Sequence, residues 1–215
     1  YDLDIIEALA RSPVRLLMVG DPRQVTYLTH NERRFAKYAD GGIADFLRSL
    51  PKKLKIEIDE VSLNRSHRNS EAICAVSSRL FPGFAATQAC ECASCRRPLP
   101  ASAGVFILRI ADYDHYLATV RPVQLRDKVT SRGVDPSSQA VNFGESKGRG
   151  FDHVVILPTD PMKQWLADPD SKLAAQSRAK FYVALTRARY SVAIAMDWRS
   201  ASLPAGFSLY QVPAI

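Results

Sequence analysis

The chain has 215 residues, of which 47% are hydrophobic, and a formal net charge of +7 at pH 7. This apolar content is typical of a globular protein and excludes a disordered tail. No apolar run reaches the length of about 18 residues that a transmembrane helix needs, so we expect no membrane partner. No signal peptide is visible and a cytoplasmic location is expected. The positive charge favours a polyanion such as nucleic acid, although a solvated basic surface would give the same count.

Helices and strands are predicted to alternate along the chain. Apolar residues at helical spacing predict helices over 3–12, 41–50, 69–81, 113–120 and 171–189. Continuous apolar runs predict strands buried on both faces over 14–20, 104–110, 152–159 and 190–196. Residues 55–61 fit a strand or an extended connector, and 84–103 lack a period and fit a loop. The alternation predicts an α/β fold with a largely parallel sheet, whose ligands are expected at the carboxyl ends of the strands.

Three of the four cysteines, Cys90, Cys92 and Cys95, lie together in the segment CECASC. They could form part of a zinc site, but no fourth ligand stands at the usual spacing and no second CxxC follows. We therefore predict free thiols on a loop in a reducing cytoplasm, and no metal ligands. A zinc-bearing adaptor stays open as an alternative that metal analysis would decide.

The glycine-rich segment GESKGRG, residues 144–150, invites comparison with a phosphate-binding loop. That loop requires G-x-x-x-x-G-K-[ST], so that backbone N–H groups surround the phosphates and the lysine reaches them. Here Lys147 precedes Gly148, and Arg149 stands where the lysine would have to be. No other segment fits, so nucleotide chemistry would need a partner segment.

Four segments in one order carry a resemblance to a known family. They are VGDPRQVTY from Val19, LNRSHRNSEAI from Leu63, VNFGESKGRGFDHVVILPT from Val141 and FYVALTRARYSVAIA from Phe181. They resemble motifs III, IV, V and VI of superfamily 1 helicases of the UvrD/Rep type, and they extend over nearly the whole chain.

The resemblance implies an ATP-dependent DNA helicase or translocase with RecA-like parallel sheets and flanking helices. Residues 1–62 would be a remnant of the first RecA-like domain, and 63–215 would be the second. ATP and Mg²⁺ would be bound mainly by an N-terminal portion of the same protein that carries the Walker motifs. The other partner would be single-stranded DNA, and the 215-residue chain alone is expected to be inactive.

The resemblance also implies a set of catalytic residues. Gln24 holds the position of the motif III glutamine near the γ-phosphate, where an amide can orient a water. Arg68 and Arg187 match the two arginines that reach this phosphate, and a permanently charged guanidinium suits a developing phosphoryl charge. We expect Arg187→Ala to lower DNA-stimulated ATP hydrolysis while sparing the fold. The implied ATP-binding positions are His67 (in place of a base-stacking tyrosine), Lys147 and Gly148.

The implied nucleic-acid contacts are Tyr27, Thr29, Arg33, Arg34 and Asn142. Tyr27 matches an aromatic that flanks the single strand, whereas Thr29 replaces a second aromatic. Gly144 and Gly150 also depart from the family pattern. These departures keep a second interpretation open, in which the chain is a non-catalytic helicase-like module for binding nucleic acid or another partner.

Overall fold

A computed structural model describes residues 3–26, 34–38, 42–95 and 98–213 of the chain. The helices are α1 (Leu3–Ala10), α2 (Ile43–Ser49), α3 (Glu71–Ser78), α4 (Tyr113–Val120), α5 (Asp160–Ala167) and α6 (Ala175–Leu185). The strands are β1 (Arg65–Ser66), β2 (Gln88–Ala89), β3 (Gly104–Leu108), β4 (Val123–Arg126), β5 (Ala140–Asn142), β6 (Phe151–Ile156), β7 (Ala188–Ala195) and β8 (Ser208–Leu209). Within the described ranges, no helix combines the length and apolar character needed to cross a membrane.

The predicted α/β fold with a parallel sheet and flanking helices is confirmed. Six strands pair in the order β5-β4-β6-β7-β3-β8, and every pairing is parallel. This arrangement is consistent with a RecA-like helicase domain. A separate two-stranded parallel sheet joins β1 to β2.

The central strands bury both of their faces, as their continuous apolar sequences predict. In β6, Val154 and Ile156 pack on one side of the sheet with α3, α5 and α6, whereas Val155 packs on the other side with α4. In β7, Val192 and Ile194 face the first side, and Ala193 and Ala195 face the second. The period of two within a strand thus divides the core into two layers.

The strand predicted over 14–20 is wrong. This segment is neither strand nor helix, and its apolar side chains are exposed, with Val14 at 62%, Leu17 at 87% and Val19 at 69%. A strand needs a neighbour to receive its backbone hydrogen bonds, and no described strand lies beside this segment. The apolar pattern of 14–20 therefore does not become a strand here.

The first fifty residues build a small hydrophobic cluster of their own. Its buried members are Ile6 of α1, Phe46 of α2 and Phe35, which precedes α2. The rings of Phe35 and Phe46 meet edge to face, with their centres 5.6 Å apart. Residues 55–61, for which a strand or an extended connector was predicted, contain no helix or strand, and Lys55 has a left-handed backbone conformation with φ of 50°. The predicted division into 1–62 and 63–215 stays a prediction.

Several short elements were not predicted from the sequence. Helix α5 has proline in its first turn, at residue 161, where the missing N–H costs nothing. Strand β4 contains a buried polar residue, Gln124, whose side-chain oxygen accepts a 2.6 Å hydrogen bond from the Tyr113 hydroxyl. Strand β2 lies inside the segment for which a loop was predicted. In α3, Ile73 and Val76 are buried, whereas Ala72 is exposed.

Candidate functional site

Arg68 lies two residues after β1 and reaches across to the end of α6. Its Nε donates a 3.0 Å hydrogen bond to the carbonyl oxygen of Thr186. Gly150 flanks the side chain, since a Cβ at that position would lie 3.2 Å from Cδ of Arg68. The glycine that replaces the acidic residue of the helicase pattern therefore makes room for the arginine.

Asn69 fixes the loop that carries Arg68. This buried amide donates from Nδ2 to the carbonyl oxygens of Thr186 at 3.0 Å and Ala188 at 2.7 Å. Its Oδ1 accepts a 2.8 Å hydrogen bond from the Ser66 hydroxyl. The turn after β1 is thereby tied to the backbone on both sides of Arg187.

Arg187 is buried, with only 2% of its surface exposed. Its Nε donates to the carbonyl of Val183 at 3.0 Å, Nη1 to the carbonyl of Arg149 at 3.2 Å, and Nη2 to the Thr186 hydroxyl at 3.1 Å. These bonds connect the end of α6 to the segment before β6. Arg187→Ala was expected to spare the fold, but it would remove three hydrogen bonds of a buried side chain, so we expect it to destabilise the protein as well.

The two guanidinium groups are electrostatic neighbours. Burial and, to a smaller extent, the positive charge of Arg68 lower the pKa of Arg187 to about 10. Burial also lowers the pKa of Arg68, with a contribution from the charge of Arg189. Two like charges near the Thr186 peptide create a site that would attract an anion.

Asp21 connects Gln24 to Tyr182 of α6. Its Oδ2 accepts hydrogen bonds from Nε2 of Gln24 at 3.0 Å and from the hydroxyl of Tyr182 at 3.1 Å, and its Oδ1 accepts from Nε of Arg23 at 2.8 Å. Burial of the Asp21 carboxyl raises its pKa, but the hydrogen bonds and charge of Arg23, with the Gln24 amide, hold the pKa below its ordinary value. The carboxylate also lies near enough to Arg187 to act on its charge.

Tyr182 of α6 is the common neighbour of these groups. The guanidinium of Arg23 lies 4.9 Å from the centre of its ring, and burial together with the Asp21 charge raises the pKa of its hydroxyl. Arg23 also donates from Nη1 to the Thr87 hydroxyl at 2.8 Å. The segment from Gly20 to Thr26 is held further by Nε2 of Gln176, which donates to the Thr26 carbonyl at 3.0 Å.

This cluster lies at the amino ends of the strands. Gly150 immediately precedes β6 and Arg187 immediately precedes β7. We expected ligand-binding residues at the carboxyl ends of the parallel strands. For Gly150 and Arg187 this expectation was wrong.

Other predicted contacts lie at the end of β5 and in the turn that follows it. Lys147 and Gly148 are exposed in the turn between β5 and β6, where Gly148 has a φ of +83° that favours glycine. Asn142 ends β5, accepts from Nε of Arg126 at 3.1 Å and donates to Oε1 of Glu145 at 3.1 Å. These three positions form a polar turn at the surface.

Three of the predicted nucleic-acid contacts, Tyr27, Thr29 and Arg33, lie outside the described residues. Arg34 is described, is exposed, and forms an ion pair with Glu7. Its guanidinium also lies 4.4 Å from the centre of the Phe35 ring. Arg34 is therefore attached to the small N-terminal cluster.

The ring of His67 lies beside the cysteines of the segment 90–95. Its Nδ1 lies 3.4 Å from Sγ of Cys95, and its ring is exposed. Sequence reasoning assigned His67 to the nucleotide base and found no fourth partner for the cysteines. The structure supplies that partner from a segment more than twenty residues away.

Sequence reasoning also missed Asp21, Asn69 and Tyr182. Each lies inside one of the four motif segments, but only Asn69 adjoins a residue that was selected. Asn69 could have been identified because it adjoins Arg68 and directly precedes the predicted helix 69–81. A buried amide at such a position needs several hydrogen-bond partners.

Comparison with known proteins finds structural neighbours. No protein-family model matches the chain, and no curated protein matches it. One solved structure, described as the C-terminal domain of a possible DNA helicase from Lactobacillus plantarum WCFS1, superposes with a TM-score of 0.40 at 12% identity and covers 67% of this chain and 98% of its own. A likeness at this level says nothing about catalysis, so function has to be inferred from the residues of the chain.

Proposed function

We propose that this chain is the C-terminal part of an ATP-dependent superfamily 1 DNA helicase or translocase. In this proposal the phosphates of ATP and the Mg²⁺ ion are held by another segment of the same protein. Arg68 and Arg187 face the γ-phosphate from this chain, and Gln24 reports on the nucleotide state. Single-stranded DNA is bound by basic and aromatic residues that include Tyr27, Arg33 and Arg34.

The observation that carries the proposal is the pairing of Arg68 with Arg187 beside the Asp21–Gln24 pair. Arg68 and Arg187 both bond to Thr186, one to its carbonyl and the other to its hydroxyl. Residues from three separate motifs thus meet at one place. Placing two like charges together costs free energy, which an incoming anion would offset.

Arg68 is the better placed of the two to contact a phosphate. It is half-buried, and among the described residues neither of its Nη atoms has a hydrogen-bond partner. A guanidinium whose Nε is anchored and whose Nη atoms are free can donate two parallel bonds to a phosphoryl group. Arg68 would therefore stabilise the charge that develops on the phosphate during transfer.

Arg187 supports a second candidate function. Because its guanidinium is buried and bonded to two carbonyls and a hydroxyl, it acts here as a donor to the backbone. Such an arginine suits a non-catalytic helicase-like module that kept the fold and binds nucleic acid or another partner. In the catalytic alternative, the phosphate has to reach the second N–H of Nη1 or Nη2, which these three bonds leave unused.

The test is DNA-stimulated ATP hydrolysis by the intact protein. Arg68→Ala is compared with Arg189→Ala, an exposed arginine of β7 whose partner is Asp152 at 2.9 Å. We expect the first variant to lose most of the stimulated turnover and the second to keep it. Equal turnover in both variants would remove Arg68 from the site, and absence of turnover in the unmodified intact protein would favour the non-catalytic module.

A further inference from the structure

One side-chain cluster lies outside the site described above. The side chains of His67, Cys90, Cys92 and Cys95 each offer a ligand atom, and these atoms all lie within 4.8 Å of one another. In a tetrahedral zinc site with Zn–S bonds of about 2.3 Å, neighbouring sulfurs lie roughly 3.8 Å apart. The 3.4 Å between Nδ1 of His67 and Sγ of Cys95 is close to such a spacing. The geometry points to a Cys₃His zinc site formed by these four residues.

The backbone brings the first two ligands together. Strands β1 and β2 pair in parallel, with Arg65 opposite Gln88 and Ser66 opposite Ala89. The N–H of Cys90 continues the ladder with a 2.9 Å hydrogen bond to the carbonyl of Ser66. His67 and Cys90 therefore follow the ends of two paired strands and leave the sheet side by side.

A tight turn supplies the other two ligands. The N–H of Cys95 donates to the carbonyl of Cys92 at 2.9 Å, which closes the CxxC segment into a turn. Sγ of Cys92 lies 3.1 Å from the Ser94 hydroxyl. Two cysteines separated by two residues are the usual pair in structural zinc sites, because such a turn presents both sulfurs to one ion.

The position of His67 is also fixed from the protein side. Ser66 and Asn69, which flank it, are linked by a 2.8 Å side-chain bond, and the N–H of Asn69 donates to the Ser66 hydroxyl at 3.0 Å. Asn69 is in turn held by the backbone around Arg187. The histidine is thus presented by an anchored turn, which is how supporting contacts orient metal ligands.

The donor set selects the metal. Three thiolates and one imidazole suit Zn²⁺, whereas Mg²⁺ and Ca²⁺ prefer oxygen ligands. Binding converts the three thiols to thiolates and releases three protons to solvent, so no oxidant or reductant is needed. With four protein ligands the coordination is complete and leaves no position for substrate, so the zinc is structural.

The zinc site changes the assignment of His67 and does not depend on the proposed ATPase. Its imidazole binds zinc in place of stacking on a nucleotide base. Arg68 is the next residue, so the metal holds the backbone from which that guanidinium projects. The segment 90–95, which has no regular structure of its own, is tied to the main body through the ion.

The site is tested with the complete 215-residue chain. The protein is purified under reducing conditions from medium that contains zinc, passed over a chelating column, and its zinc and iron are measured by mass spectrometry. We expect one tightly held zinc ion per chain. Replacement by Co²⁺ should give the strong visible bands of a tetrahedral ion with sulfur ligands. Zinc removed by the column, an iron–sulfur absorption, or a disulfide among the three cysteines without metal would overturn the proposal.

Matched variants separate ligands from bystanders. Cys92→Ser and His67→Ala should weaken zinc binding by more than about tenfold, whereas Cys74→Ala in α3 and His115→Ala in α4 should leave it unchanged. His67→Cys keeps four ligands and should retain the metal with a Co²⁺ spectrum shifted by the added sulfur. This last variant keeps the test decisive if His67→Ala fails to fold. Full zinc retention in His67→Ala would remove the histidine from the site.

Discussion

The side chain of Asn69 is bonded to the backbone on both sides of Arg187. Its Nδ2 lies 3.0 Å from the carbonyl oxygen of Thr186 and 2.7 Å from that of Ala188. The loop after β1 and the start of β7, which are far apart in sequence, are thereby held as one unit. The arginines that they carry, Arg68 and Arg187, are placed side by side as a result.

Asn69→Ala tests how much this connection stabilises the fold. The substitution removes the amide bonds to the carbonyls of Thr186 and Ala188, of which Thr186 keeps Nε of Arg68 as a donor, so we expect the free energy of unfolding to fall by about 1–3 kcal/mol. Urea unfolding followed by circular dichroism measures it. Asn142→Ala is the control, because its amide bonds to the exposed Glu145 side chain, and its effect should stay within about 1 kcal/mol. Equal losses of unfolding free energy in Asn69→Ala and Asn142→Ala would show that the bonds from Asn69 to the backbone around Arg187 do not stabilise the fold.

Arg187→Ala tests the structural role of the buried guanidinium. We expect a loss of about 2–3 kcal/mol in the free energy of unfolding, since a large buried side chain and its bonds to Val183, Arg149 and Thr186 are removed. Arg189→Ala, two residues further along β7, removes an exposed ion pair and should change it by no more than about 0.5 kcal/mol. A stable Arg187→Ala protein would show that these bonds do not hold the fold.

The Asp21 carboxylate predicts a pH dependence. Its pKa in the folded protein lies below the ordinary value of 3.8, so its contribution is complete above that value and is lost as the pH falls through the lower folded value. We expect Asp21→Asn to reduce the free energy of unfolding by about 1–2 kcal/mol at pH 7, and by progressively less below pH 3.8. Unfolding curves of both proteins from pH 7 down to acid measure this. Asp152→Asn, at an exposed ion pair, serves as the control.

If the free energies of unfolding of Asp21→Asn and the unmodified protein differed by the same amount at every pH, the stabilising role of the Asp21 charge would be contradicted. Such a result would mean that the amide loses packing or geometry, and that the charge of the carboxylate contributes nothing to docking Gly20–Thr26 on α6. Convergence of the two curves in acid is the expected result.

Much of the sheet could be predicted from sequence because its central strands, β3, β6 and β7, are continuous apolar runs. Such a run is buried on both faces wherever a sheet accepts it. The same pattern failed at 14–20, where the described chain offers no strand to pair with. Strands of two to four residues, such as β2 and β5, carry too few side chains to show a period.

The site was predictable only in part, for a related reason. Arg68, Arg187 and Gln24 could be selected because they stand in motif positions. The partners that hold them, Asn69 and Asp21, are defined by contacts between segments more than a hundred residues apart. The meeting of His67 with the cysteines likewise depends on the pairing of β1 with β2, which no local pattern reveals.

The central claim is that Arg68 acts on the phosphate during transfer, and the separation of kcat from KM for ATP tests it most directly. In the intact protein with saturating single-stranded DNA, Arg68→Ala should lower kcat by about 10³-fold or more and leave KM for ATP nearly unchanged, because the interaction forms in the transition state. Arg68→Lys should recover little, since lysine cannot donate two parallel bonds. A kcat for Arg68→Ala equal to that of the unmodified protein, with Arg189→Ala also unchanged, would contradict the account.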